Sequence, residues 1–179
     1  AHLRTVFKQS GAILEIGSGS GQHALFFAQY LTHLKWLPSD QGEYLPGLIE
    51  NIASYSMPNV HTPFELDVRQ ESWPKLDVDA VFSANSLHIM SWENVVHFYR
   101  GMGQVLKNGG TLCIYGPFQY NGQYTSESNA RFDQWLKQRD PVSGIRDFER
   151  VNELAENEGF TLHADFAMPA NNQLLVWRK

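Results

Sequence analysis

One cysteine in 179 residues leaves no partner for an internal disulfide, and Cys113 stands inside the apolar run TLCIYG. That usage fits a reducing compartment, so a cytoplasmic protein is expected. No apolar stretch approaches the ~18 residues needed to cross a bilayer, and the N-terminus lacks a signal-peptide pattern, so no membrane partner is expected. The 14 Lys and Arg form no cluster and are outnumbered by 19 Asp and Glu, for a net charge of −5. A nucleic-acid binder needs a basic stripe to neutralise phosphates, which weighs against nucleic acid as a partner. None of the seven histidines is paired at H-x-x-x-H or similar spacing, and one cysteine makes no thiolate cluster; no metal site is expected. Internal repeats, low-complexity tracts and long linkers are missing as well.

What is present reads as one folded unit. At 42% hydrophobic and 18% charged, the composition excludes a disordered chain, and the length suits one domain, 1–179. The chain opens AHLRTVFKQSG with no initiator methionine, and is read as lacking part of a leading segment. Short apolar runs of strand type recur at AILEI (12–16), LKWLPS (34–39), HTPFELD (61–67), VDAVFSA (78–84), TLCIYG (111–116), FTLHADF (160–166) and QLLVWR (173–178). Helical spacing fills the gaps between them. Val95, Phe98, Tyr99, Met102, Val105 and Leu106 share one face of a helix that Ser91 caps and Asn108-Gly109-Gly110 ends. Phe148, Val151, Leu154 and Ala155 mark another, ended by Gly159, and Ser126 caps a third through Asn129, Phe132 and Leu136. Alternating strands and helices predict a doubly wound, mostly parallel α/β sheet of seven strands. MPANN (168–172) is too short for a parallel crossover, so the last strand is expected to run antiparallel.

In such a sheet ligands bind beyond the C-terminal strand ends, beside strand one. There the sequence reads LEIGSGSGQH, with Gly17, Gly19 and Gly21 at alternate positions. Glycine at such a turn lets the backbone bend tightly and a ligand approach closely. The dinucleotide fingerprint G-x-G-x-x-G asks for its third glycine at position 22, which is Gln22, and no Lys-Ser/Thr follows for a phosphate loop. Glu15, two residues ahead of the glycines, would repel a pyrophosphate and welcome a ligand carrying an ammonium and a sulfonium.

This E-x-G-x-G-x-G turn resembles the first motif of the class I S-adenosylmethionine-dependent methyltransferases. GSGQHA, WLPSD, NSLHIMSW, YGPF, SNARFD and MPANN are similar over nearly the whole chain to an uncharacterised methyltransferase-like family, a domain of unknown function called methyltransferase-like 26 in animals. Members of that family usually begin with a polar helical segment, most of which is missing here. The resemblance implies a Rossmann-like class I methyltransferase fold and S-adenosylmethionine as cofactor, with S-adenosylhomocysteine as product. It implies Glu15, Gly17, Ser18, Gly19, Gly21 and His23 at the methionine end, Asp40 on the ribose hydroxyls, and Asp67 with Val68 at the adenine. Asn85 would then help to hold the methionine part, though a simple turn-forming Asn suits that position nearly as well.

Topology places the acceptor over the loops leaving strands four and five and over the link between strands six and seven. His88 is the best-placed general base, because an imidazole titrates near neutrality; a histidine packed in the turn before the 91–106 helix fits its position too. Tyr115 and Phe118 would wall a substrate pocket unless they belong to the core, and Asn171 and Asn172 would face the substrate unless they only make a tight turn. The polar, aromatic stretch 119–141 is expected as a substrate-specific insertion or an exposed lid. The acidic balance favours a small molecule or a protein side chain as acceptor. Two readings from other classes stand beside the methyltransferase: a cofactor-binding regulatory protein without turnover, and a nicotinamide-dependent oxidoreductase.

Overall fold

The computed structural model describes residues 2–179. In chain order the elements are α1 (His2–Val6), β1 (Gly11–Ile16), α2 (Gln22–Tyr30), β2 (Leu34–Asp40), α3 (Leu45–Tyr55), β3 (Phe64–Glu65), β4 (Ala80–Ala84), α4 (Trp92–Val105) and β5 (Thr111–Gly116). Then come β6 (Phe118–Tyr120), β7 (Gln123–Tyr124), α5 (Glu127–Arg139), β8 (Arg146–Asp147), α6 (Phe148–Asn157), β9 (Thr161–Met168) and β10 (Asn172–Arg178). Seven strands form one sheet in the order β3-β2-β1-β4-β5-β10-β9. All its pairings are parallel except those of β10, which runs antiparallel to both β5 and β9. This is the class I methyltransferase fold, with the doubly wound sheet and antiparallel last strand expected from the sequence.

Strand alternation sends neighbouring residues to opposite layers. Leu14, Val81, Leu112 and Trp177 pack under α4 and α6, against Phe98, Met102 and Val151. Ile13, Phe82, Cys113 and Val176 pack under α1, α2 and α3, against Leu3, Ala24 and Leu48. Both layers are sealed, so the strands read as near-continuous apolar runs. The strand order reverses between β1 and β4, and a crevice at that switch point is where the topology seats a ligand.

Three stretches depart from the sequence reading. The third strand, expected over 61–67, pairs only at Phe64–Glu65, with one isolated bridge from Val60 to Trp36. Pro63 cannot donate to a ladder, which confines this segment to a short edge strand. The stretch after β5 holds a small second sheet as well as a helix: β6 and β7 form a hairpin, and β8 joins β6 in parallel. Its turn is Asn121-Gly122, both at positive φ, the residue pair that a tight hairpin favours. The sixth strand runs two residues further than expected, to Met168, and a short 3-10 turn, Pro169–Asn171, joins it to β10. Ser91 and Ser126 do cap α4 and α5, accepting from the backbone N–H groups of Asn94 (3.2 Å) and Asn129 (3.1 Å).

Candidate active site

At the tops of β1 and β2 the site is made of backbone. Gly17, Gly19 and Gly21 all have φ between 56° and 79°, the left-handed region that only glycine enters without cost. A Cβ on Gly17 would come within 2.6 Å of the Ser86 hydroxyl oxygen, and one on Gly21 within 2.7 Å of Ile52 Cδ1. A Cβ on Gly19 would meet no atom within 4 Å, so this glycine faces open space. Ser18 staples the loop to the neighbouring strand: its N–H donates to the Ser39 carbonyl (3.0 Å), and its hydroxyl accepts from the Ser39 N–H (3.2 Å). Asp40, at the end of β2, accepts the Gly19 N–H on Oδ2 (2.7 Å) and the Gln41 N–H on Oδ1 (2.8 Å). Each carboxylate oxygen keeps a second lone pair for a ligand hydroxyl.

Glu15 does not face that open space. Its carboxyl is 1% exposed and accepts the Trp36 indole N–H on Oε2 at 2.8 Å. Burial pushes its pKa up to about 7, with a smaller push from the Asp40 charge, while hydrogen bonds from Trp36 and Ser18 act the other way. Glu15 therefore supports the crevice from inside the sheet.

At the neighbouring strand end, Asp67 is held by Arg69. Its carboxylate accepts the Arg69 backbone N–H (2.9 Å) and the guanidinium, with Nε at 2.9 Å from Oδ1 and 3.0 Å from Oδ2. That pairing keeps the carboxyl below its usual range. Val68 is buried in the α4/α6 layer, so its side chain lies in the core.

On the other side of the switch point the site is made of side chains. Asn85 is exposed at the top of β4 with φ 55°, a left-handed conformation for a non-glycine residue, and its N–H donates to the Tyr115 carbonyl (2.8 Å). Such conformations persist only where the surroundings hold them, and they gather at functional sites. Asn85 lines two cavities at once. One, about 670 Å³, lies between α1, α2 and the tops of β4, β5 and β10, and has His23, Phe82 and Tyr115 in its wall. The other, about 590 Å³, is closed by α5 and the turn before β10, and gathers His88, Asn129, Asn171 and Asn172. Among the described residues no group of three or more His, Cys, Asp or Glu is placed to hold a metal ion.

His88 is 6% exposed, with its ring edge-on to Phe132 at 5.4 Å. Burial lowers its pKa to about 4, and the nearby Arg146 charge adds to the effect, so the imidazole is neutral at physiological pH. Arg146 also pins the turn that carries His88, donating to the carbonyls of Leu87 (3.2 Å) and Met90. His23 stacks on Phe27 at 5.9 Å, and burial lowers its pKa. Asn172 donates to the Tyr115 hydroxyl oxygen (3.1 Å), which ties β10 to β5 between the two cavities. Asn171, at φ 57°, donates to the Ser128 hydroxyl (3.0 Å) and accepts the Asn129 amide on its carbonyl (2.9 Å).

Phe118 corrects the sequence reading: it is 1% exposed in the α4/α6 layer, because β6 turns its side chain away from the strand tops and into the core. Ser86, on the loop leaving β4 where topology places the ligand side, fills the space behind Gly17. Two contributions were missed: Asn129 fastens α5 to the turn before β10, and α1 brings His2 and Arg4 to the larger cavity. The Ser126 cap placed Asn129 on the first turn of a helix, but its partner Asn171 is 42 residues away and no local pattern announces the pair.

The chain belongs to the family described as a protein of unknown function (DUF938), whose model matches residues 1–179. Among solved structures it is similar to the S-adenosylmethionine-dependent methyltransferase SibL in its apo form, with a TM-score of 0.82 and 20% identity over 97% of this chain and 52% of that one. PigF with S-adenosylhomocysteine gives 0.82 and 16% over 94% and 50%. An O-methyltransferase family 2 protein from Planctomyces limnophilus, in complex with apigenin, gives 0.82 and 15% over 97% and 52%. The chain spans about half the length of these proteins. At such identities the likeness establishes the fold.

Proposed function

We propose that this protein is an S-adenosylmethionine-dependent methyltransferase acting on a small-molecule acceptor. The carrying observation is the crevice at the switch point. There a turn of three left-handed glycines is bonded through Gly19 to Asp40, and Asn85 stands where the crevice meets two cavities. The residues fit the cofactor. Gly19 leaves room where a Cβ would intrude, Asp40 keeps lone pairs for ribose hydroxyls, and Asn85 offers an amide to the amino-acid end. Asp67 fits less freely, since an adenine amino group would have to share its carboxylate with Arg69. When bound, S-adenosylmethionine supplies a methyl group already activated by a sulfonium.

The chain's own residues have to align and to exclude water, and good alignment supplies roughly 7–11 kcal/mol of a barrier. Burial keeps His88 unprotonated. A base is most effective when its pKa lies near the working pH, so with a value of about 4 it contributes less than position does. The whole domain, 1–179, would act in the cytoplasm. Among its described residues no helix is long and apolar enough to cross a membrane.

Calorimetric titration with S-adenosylmethionine, S-adenosylhomocysteine, NAD and NADP tests the reading. Micromolar binding of the sulfur pair, weakened at least tenfold in Asp40→Ala by loss of hydrogen bonds to a charged group, is the expected result. Binding of a nicotinamide cofactor alone, or sulfur-pair binding indifferent to Asp40→Ala, would overturn it. Radiolabelled methyl transfer to a panel of small acceptors then separates an enzyme from a binding protein without turnover.

A further inference from the structure

We propose that the 670 Å³ cavity between α1, α2 and the tops of β4 and β5 is the acceptor pocket, and that its ligand is a planar aromatic molecule bearing an anionic group. The inference rests on the methyltransferase reading for the word acceptor; the ligand chemistry comes from the cavity itself. Its wall is aromatic: Phe26, Phe27, Tyr30 and Phe82 contribute rings, with His23 stacked on Phe27. Phe26 and Tyr30 are 54% and 51% exposed with ring centroids 5.0 Å apart, an uncovered pair at the rim. Large apolar side chains left open around a concave site mark ligand-binding surfaces.

The charge pattern is as telling as the shape. The chain carries 19 Asp and Glu, yet none lines this cavity. Arg4 does, with its guanidinium 5.8 Å from the Tyr30 ring centroid and in no salt bridge with the described residues. A guanidinium beside aromatic faces suits a carboxylate or phenolate carried on a flat ring. At the inner end the Tyr115 hydroxyl accepts from Asn172, which leaves its own proton to donate to a ligand oxygen. The neighbouring 590 Å³ cavity differs: four amides, His88 and a single phenyl ring, Phe132, are in its wall, and no cation lines it.

The test is calorimetric titration of the protein with 2-naphthoate, with 2-naphthamide of the same shape but no charge, and with cyclohexanecarboxylate of the same charge but no aromatic ring. S-adenosylhomocysteine is titrated in parallel. We expect 2-naphthoate to bind at least tenfold tighter than either comparison compound. Arg4→Gln should bring it to the level of 2-naphthamide, while 2-naphthamide and S-adenosylhomocysteine stay unchanged. Phe26→Ala, a surface change that spares the core, should weaken both naphthyl compounds about fivefold or more. Equal binding of the three compounds, or an Arg4→Gln variant that binds 2-naphthoate as well as the unaltered protein, overturns the proposal. No 2-naphthoate binding in a protein that takes S-adenosylhomocysteine overturns it alone. Binding of 2-naphthoate without S-adenosylhomocysteine instead sinks the methyltransferase reading and leaves the pocket as a site for aromatic acids.

Discussion

At the tops of β1 and β2 the crevice is lined by backbone, set by three glycines within five residues and fixed by one carboxylate from the next strand. At the tops of β4, β5 and β10 the lining is side chains, drawn from α1, α2, α5 and the turn at 169–171. The first region has little room to vary, since the spaces behind Gly17 and Gly21 are already filled by Ser86 and Ile52. The second is open and varied in chemistry, aromatic and basic in one cavity and amide-rich in the other. A constant cofactor beside a variable acceptor would call for such a division.

Substituting the three glycines gives the sharpest contrast. Gly21→Ala has to hold a left-handed residue, which costs roughly 1–2 kcal/mol, and to displace Ile52, which costs about 1–3 more. We expect a loss of about 2–5 kcal/mol in urea denaturation, and a similar loss for Gly17→Ala against Ser86. Gly19→Ala meets no atom, so its loss of stability should stay near 1–2 kcal/mol while its methyl group enters the crevice and weakens S-adenosylhomocysteine binding. Equal losses of stability at all three positions would mean that the loop is a steric turn with no cleft to protect.

Each region also holds a buried group whose pKa lies far from its usual value, and the two have opposite proton linkage. Folded Glu15, with a pKa of about 7 against 4.5, holds a proton that the unfolded chain releases. Its contribution is fully present below pH 4.5 and is lost as the pH rises toward 7. Folded His88, at about 4 against 6.5, refuses a proton that the unfolded chain takes up. Its contribution is present above pH 6.5 and is lost as the pH falls toward 4. Each slope is about 1.4 kcal/mol per pH unit, and between pH 4.5 and 6.5 they cancel. Relative to the unaltered protein, Glu15→Gln should therefore show stability rising with pH by about 1.4 kcal/mol per unit across pH 5–6.5, and His88→Gln should show it falling by as much. Denaturation curves at three pH values in that window check both, and two parallel profiles would show that neither group is buried in solution as it is here.

The contrast explains what the sequence disclosed. The glycine turn, Asp40 and the strand alternation are local patterns of a few residues, and backbone rules alone fix their geometry. The cavities depend on contacts over long separations, such as Asn129 with Asn171 and Tyr115 with Asn172, 57 residues apart. A helix cap at Ser126 can be read without knowing where the helix docks. Phe118 stood at a strand end, where an aromatic joins the core more often than a pocket, and the small second sheet turns it inward. Glu15 was read as facing the ligand because its charge suited one, whereas its place on the strand gives it Trp36 as a partner.

Asp67 follows β3, at the sheet edge beyond β2, and should give the smallest effect. Its carboxylate is engaged by Arg69, an exposed side chain, and exposed pairs of this sort contribute little to stability. Both Asp67→Ala and Arg69→Ala should leave the melting temperature nearly unchanged. They should part in calorimetric titration with S-adenosylhomocysteine. A remaining lone pair on Asp67 that accepts the adenine amino group would make Asp67→Ala bind about three- to tenfold more weakly, the worth of one ordinary hydrogen bond. Arg69→Ala frees that carboxylate, so its affinity should hold or rise. An aspartate is ionised from pH 6 to pH 8 even without Arg69, so the difference between the two variants should be the same at both. If the two variants instead bind alike, Asp67 serves only the turn it makes with Arg69, and the adenine end of the crevice is left to backbone alone, as the glycine end already is.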